Sequence, residues 1–112
     1  MCANADEAQK IAQAAIERRL AACVNIVSAP VRSVYRWQGR VESADEVLLV
    51  IKSSRRVLPA LQRAVAELHS YDVPEFIALP IAAGGAAYLQ WMAESLAVPA
   101  ASTKTRAKGS KA

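Results

Sequence analysis

The sequence predicts an α+β sandwich, with helices packed over one face of an antiparallel sheet. Three observations carry that expectation. The stretches "NADEAQKIAQAAIERRLAA" and "RRVLPALQRAVAELH" repeat their apolar residues at helical spacing. The stretches beginning at "CVNIVS", at "EVLLVIKS" and at "EFIALPI" are rich in β-branched and apolar residues at strand length. The elements follow one another as helix, strand, strand, helix, strand, helix, and 112 residues leave room for one core only.

The first helix has Asn4 and Asp6 as candidate caps, with Asp6 and Glu7 at the positive end of its dipole and Arg18 and Arg19 near the negative end. Its apolar stripe of Ala8, Ile11, Ala12, Ala15, Ile16 and Leu20 is narrow, which suits close approach to a sheet. "CVNIVS" then switches to strand character, and Pro30, with no N–H for a ladder, predicts a bulge or an edge. From Val31 the period is two, so Ser33, Tyr35 and Trp37 share its face while Arg32, Val34 and Arg36 share the other. Gln38, Gly39 and Arg40 begin a turn region, "VESADE" extends it, and the next strand is expected at Glu46 to Ser53. "VLLVI" is apolar on both faces, as in a central strand covered on both sides.

Ser53 or Ser54 is the expected cap of the second helix, with Pro59 in its first turn, where a missing N–H matters least. Leu58, Leu61, Val65 and Leu68 should face the sheet. "EFIALPI" reads as a short strand closed by Pro80, and after Gly84 and Gly85 a last helix carries Tyr88, Trp91 and Met92 in an apolar stripe. Only Met1 and Cys2 stand ahead of the first helix, so the first strand is largely missing. Adding one gives βαββαβ, the split βαβ of the ferredoxin-like class, followed by an extra C-terminal helix. Either the chain is truncated or another segment fills that slot. Such a sheet leaves one face bare unless the last helix and other subunits cover it.

Composition narrows the function. Hydrophobic residues make up 54%, much of it alanine, and aromatics only 5%, so each aromatic needs a packing place. The net charge of +4 resides in "STKTRAKGSKA", leaving residues 1–101 balanced between acid and base. The division expected is a single domain over residues 1–101 and a basic, disordered tail over 102–112, with no aromatic interleaving for nucleic-acid bases to stack on. Cys2 and Cys23 make no disulfide framework, "MCANADEAQK" resembles no signal peptide, and no apolar run reaches membrane-span length. A cytoplasmic protein with no nucleic-acid or membrane partner is the expectation.

Several motifs in one order, "ERRLAACVNIV", "SVYRWQGRVE", "EVLLVIKS", "LHSYDVPEFIALPI" and "YLQWM", closely resemble the CutA divalent-cation tolerance family over about residues 1 to 96. The resemblance implies a ferredoxin-like homotrimer, no established catalysis, and a link to divalent metal tolerance and copper binding. It extends in architecture to the PII signalling proteins. On this reading the long hairpin reaches past its own subunit, and Tyr35 and Trp37 cover apolar surface at the trimer contacts. Cys2 and His69 match family positions carried as copper ligands, a soft pair for Cu(I) or part of a zinc set, and a third ligand has to come from another residue or subunit. Two departures stand out: the apolar residues of the first strand are absent, and Ser70 replaces the proline of the family's "HPY".

The bland readings are a cysteine at a strand end, a histidine complementing a helix dipole, and Cys23 as a small buried hydrophobe. Lys52, Arg55 and Arg56 meet at a strand-to-helix junction, but "KSSRR" lacks the glycines of a P-loop and reads first as solvated charge. By analogy with PII-like trimers, Lys52, Tyr71 and Glu75 are candidates for an intersubunit cleft that takes a small anionic ligand, the alternative function. An enzyme is not expected. Acylphosphatases share the element order but need an arginine where this chain has "ANADE", and the one histidine has no obvious nucleophile paired with it.

Overall fold

Helix α1, Ala5–Glu17, starts where Asn4 turns its extended backbone into the first turn and accepts the Glu7 N–H on its side-chain oxygen at 2.8 Å. The computed structural model describes residues 1–97, so the basic stretch 102–112 lies outside the described residues. At its far end α1 stops on Arg19, whose φ of 57° is left-handed, and the chain reverses into the sheet.

Strand β1, Cys23–Trp37, and strand β2, Arg40–Lys52, pair antiparallel from Cys23↔Lys52 to Trp37↔Arg40. Their turn has only two residues, Gln38 and Gly39, both at positive φ (51° and 82°), the primed geometry whose twist matches that of the strands. The expected irregularity at Pro30 is present. Val27 pairs with Leu48 and Val31 with Glu46, so four steps along β1 cover two along β2.

A 3₁₀ turn, Arg55–Val57, leads into helix α2, Leu58–Leu68, with proline in its first turn. Neither serine caps it by side chain: Ser53 Oγ donates to the Leu20 carbonyl at 2.7 Å instead, tying the end of β2 to the end of α1. Helix α3, Ala86–Ser95, follows an irregular stretch. The core lies where α1 and α2 meet the sheet, with Ala8, Ile11 and Ala15 against Leu61, Val65 and Val47. Alanine on α1 is what lets the helices and sheet come this close. No helix among the described residues is long and apolar enough to cross a membrane.

Three expectations need correction. "VESADE" is not part of the turn, because β2 already begins at Arg40; a two-residue turn lets polar residues sit in a ladder that faces water. "EFIALPI" joins no ladder, since a strand exists only with a partner, and the sheet among the described residues has two strands. β2 accordingly is not covered on both sides: Val50 is exposed, and among the described residues its only rung beyond β1 is an isolated bridge from Val47 to Cys2. In α3 only Met92 is buried, while Tyr88 and Trp91 stay half exposed and meet in a tilted ring contact with centres 5.4 Å apart.

Candidate metal centre

Cys2, Glu7 and His69 come from three separate elements and converge beside the sheet edge. Cys2 is pinned by backbone: its N–H donates to the Val47 carbonyl and its carbonyl accepts from the Val47 N–H, both at 2.8 Å. Glu7 stands three residues after the Asn4 cap, the position from which a glutamate often reaches back to the cap's own N–H. Here its carboxylate points inward instead. His69 ends α2, with its ring fixed at both nitrogens.

Those two contacts define the tautomer. Nε2 lies 2.6 Å from the Met1 carbonyl, which can only accept, so Nε2 carries the proton. Nδ1 then offers a lone pair, which takes the Tyr71 N–H at 3.1 Å. Glu7 Oε2 sits 3.4 Å from that same Nδ1, with the histidine side chain 1% exposed and the glutamate 12%. Two acceptors therefore face each other in a dry place, and Glu7 Oε2 has no hydrogen-bond donor. The ligand atoms of Cys2, Glu7 and His69 all lie within 4.8 Å of one another. A cation placed among them would satisfy all three.

Electrostatics around the thiol bear on what that cation must be. Burial pushes the Cys2 thiol up, the chain's amino group pulls it down, and the Glu7 and Glu46 carboxylates push it up again. Cys2 is thus held as a thiol until something strongly electrophilic displaces the proton. Next to it, Tyr71 packs its ring against His69 at a tilt of 53°, with centres 4.7 Å apart, and donates its hydroxyl to Glu46 Oε2 at 2.9 Å. Burial first, then the bond to and charge of Glu46, push the Tyr71 hydroxyl up to about 12. The donated proton satisfies a carboxylate that is itself buried.

The other candidates are distributed differently. Lys52 and Glu75 line one groove with Cys2 and His69, whereas Tyr71 is committed to Glu46 outside that lining. Lys52 Nζ also lies 4.0 Å from Cys23 Sγ, and Cys23 is half-buried; both cysteines are free. Tyr35 and Trp37 sit on the distal half of the hairpin, each 41% exposed. Sequence reasoning credited Glu7 to the helix dipole alone and did not single out Glu46. The one available signal was the cap arrangement at Asn4, which is complete without the glutamate and so frees it for another task.

The chain matches the family model described as CutA1 divalent ion tolerance protein over residues 1–95. It is 50% identical over 88 residues to the divalent-cation tolerance protein CutA of Thermus thermophilus, a match covering 79% of this chain and 84% of that one. The chain belongs to the CutA1 divalent ion tolerance family. It is also 45% identical over 91 residues to human protein CutA, covering 81% of this chain but 50% of the human one, so it spans about half the length of that relative. Among solved structures, the divalent cation tolerance protein of T. thermophilus superposes with a TM-score of 0.83 at 46% identity, over 86% of this chain and 92% of that one. Family membership explains why the quoted motifs occur in one order along the chain.

Proposed function

We propose that this protein acts in divalent-metal tolerance without catalysis, by holding a metal ion on Cys2 Sγ, Glu7 and His69 Nδ1. The observation that carries the reading is the buried Glu7 oxygen with no donor, facing an imidazole lone pair. Buried carboxylates without partners are costly, and a cation is the chemical species that answers a carboxylate, an imidazole and a thiol together. The hydrogen bond behind the histidine fits as well. A ligating histidine ordinarily gives its other N–H to a carbonyl or carboxylate, as Nε2 of His69 does to Met1.

The donor set favours copper or zinc over magnesium or calcium, which prefer oxygen. Binding expels the Cys2 proton, and it takes the Nδ1 lone pair from the Tyr71 N–H, so loading should loosen the turn after α2. Competition titration against a chromogenic chelator tests this with Cu(I) and Zn(II). Glu7→Gln, Cys2→Ser and His69→Ala should each weaken binding at least tenfold. Affinity untouched by all three would end the metal reading.

A ferredoxin-like trimer is the assembly that goes with this function. The bare apolar side chains on the distal hairpin, Val34, Tyr35, Trp37 and Val41, support it, because a neighbouring subunit would cover them. Sedimentation at micromolar concentration checks it, and a stable monomer would rule it out.

A further inference from the structure

Cys23 begins β1, Lys52 ends β2, and the two stand opposite each other in the ladder. Residues opposed across antiparallel strands carry their side chains on the same face, so the thiol and the ammonium share one side of the hairpin. The backbone holds this end in place. Ala22 donates its N–H to the Lys52 carbonyl at 2.8 Å, and Ser53 Oγ donates to the Leu20 carbonyl at 2.7 Å. Across the pair, Lys52 Nζ lies 4.0 Å from Cys23 Sγ.

A third group meets the same sulfur from α3. Partial burial, and then the charge of Cys23 and a hydrogen bond to it, push the Tyr88 hydroxyl up. Tyr88 is 47% exposed, while Cys23 is half-buried and in no disulfide, so small solutes can reach the cluster. A cysteine that only filled space would need neither a cation nor a hydroxyl beside it. Cys2 differs, being 2% exposed and held as the thiol by its surroundings.

We propose that Cys23 and Lys52 form a peroxide-responsive modification site that closes into a covalent sulfur–nitrogen bridge between β1 and β2. The Cys23 thiolate attacks one oxygen of hydrogen peroxide, so the S–O bond forms and the O–O bond breaks. The departing hydroxide takes a proton from the Lys52 ammonium, which leaves water, a sulfenic acid and a neutral amine. The amine then attacks the sulfur: the N–S bond forms, the S–O bond breaks, and the hydroxyl leaves as water with a proton from the nitrogen. Across the two steps the sulfur is oxidised by two electrons and the peroxide is reduced. The ladder presents the amine to the sulfur at an effective concentration that dissolved nucleophiles do not match. Closure also discharges Lys52, removing a cation from the wall of the groove that it lines. The site is independent of any metal at Cys2, Glu7 and His69.

Peptide mapping by mass spectrometry tests it, on chain treated with hydrogen peroxide in the presence of EDTA and of dimedone, which traps sulfenic acids. The unaltered chain should yield the Cys23 and Lys52 peptides joined, lighter than their sum by two hydrogen atoms and separable by dithiothreitol, with little dimedone on Cys23. Lys52→Arg keeps the charge on a poor nucleophile, so the link should vanish and dimedone on Cys23 should rise about tenfold. Cys23→Ser should give no link. The link in the unaltered chain is read directly, so its absence overturns the proposal whatever the variants do. Equal dimedone labelling of Cys23 with and without Lys52→Arg also overturns it, as does preferential oxidation of Cys2 or a disulfide formed by Cys23.

Discussion

The hairpin of β1 and β2 is one ladder with two unlike halves. Near Cys23 and Lys52 its inner face lies under α1 and α2, and Val24, Ile26, Leu49 and Ile51 pack on the core. Beyond the irregularity at Val27 to Val31, the same kind of pairing continues to the Gln38–Gly39 turn, but Val34 and Val41 are each 67% exposed. Backbone pairing is alike in the two halves and burial is not. Hydrogen bonding therefore decides where the strands go, while the helices decide which part of the hairpin contributes to the fold of the isolated subunit.

That contrast can be broken by substitution, and the largest effect belongs to the covered half. Leu61→Ala removes a side chain that is 2% exposed and should cost about 2–5 kcal/mol in urea unfolding. A loss near zero would mean that the helices do not hold this half. Tyr71→Phe leaves the buried Glu46 without its donor and should cost about 1–3 kcal/mol. The same pair gives a pH signature. The folded state keeps Tyr71 protonated up to about 12 while the unfolded chain ionises near 10, so stability should decline as pH rises between those values. Melts across that window should show a flatter decline for Tyr71→Phe.

In the uncovered half the effects shrink. Gly39→Ala meets nothing within 4 Å, so only its φ of 82° resists, and about 1–2 kcal/mol is expected from thermal melts. Trp37→Ser should change the folding free energy of a lone subunit by less than about 0.5 kcal/mol. Its effect should appear instead in sedimentation, as loss of association. A Trp37→Ser chain as destabilised as Leu61→Ala would erase the distinction between the halves.

How legible each part was in the sequence follows the range of the interaction that made it. Helix α1 was readable from its alanine-rich stripe and the Asn4 cap, and α2 from Leu61 and Val65 at helical spacing, because each signal lies within a few residues. Pro30 and Gly39 announced the irregularity and the turn through backbone chemistry that is equally local. "EFIALPI" was misread because strand composition needs a partner to become a strand, and partners are set by distant segments. At the candidate metal centre, Cys2 and His69 were named through the family resemblance. Glu7 was missed because its carboxylate gains meaning only when residue 69 is folded beside it, and Glu46 because its partner Tyr71 is 25 positions away.

The offset between β1 and β2 at Pro30 is an even one. Its consequence concerns permitted changes of length. Deleting both surplus residues would let the strands run on unbroken, with every side chain still on the side of the sheet it now occupies. Deleting one would throw the outer arm out of phase unless a new kink absorbed the difference. Insertions and deletions at this elbow should therefore be tolerated in pairs.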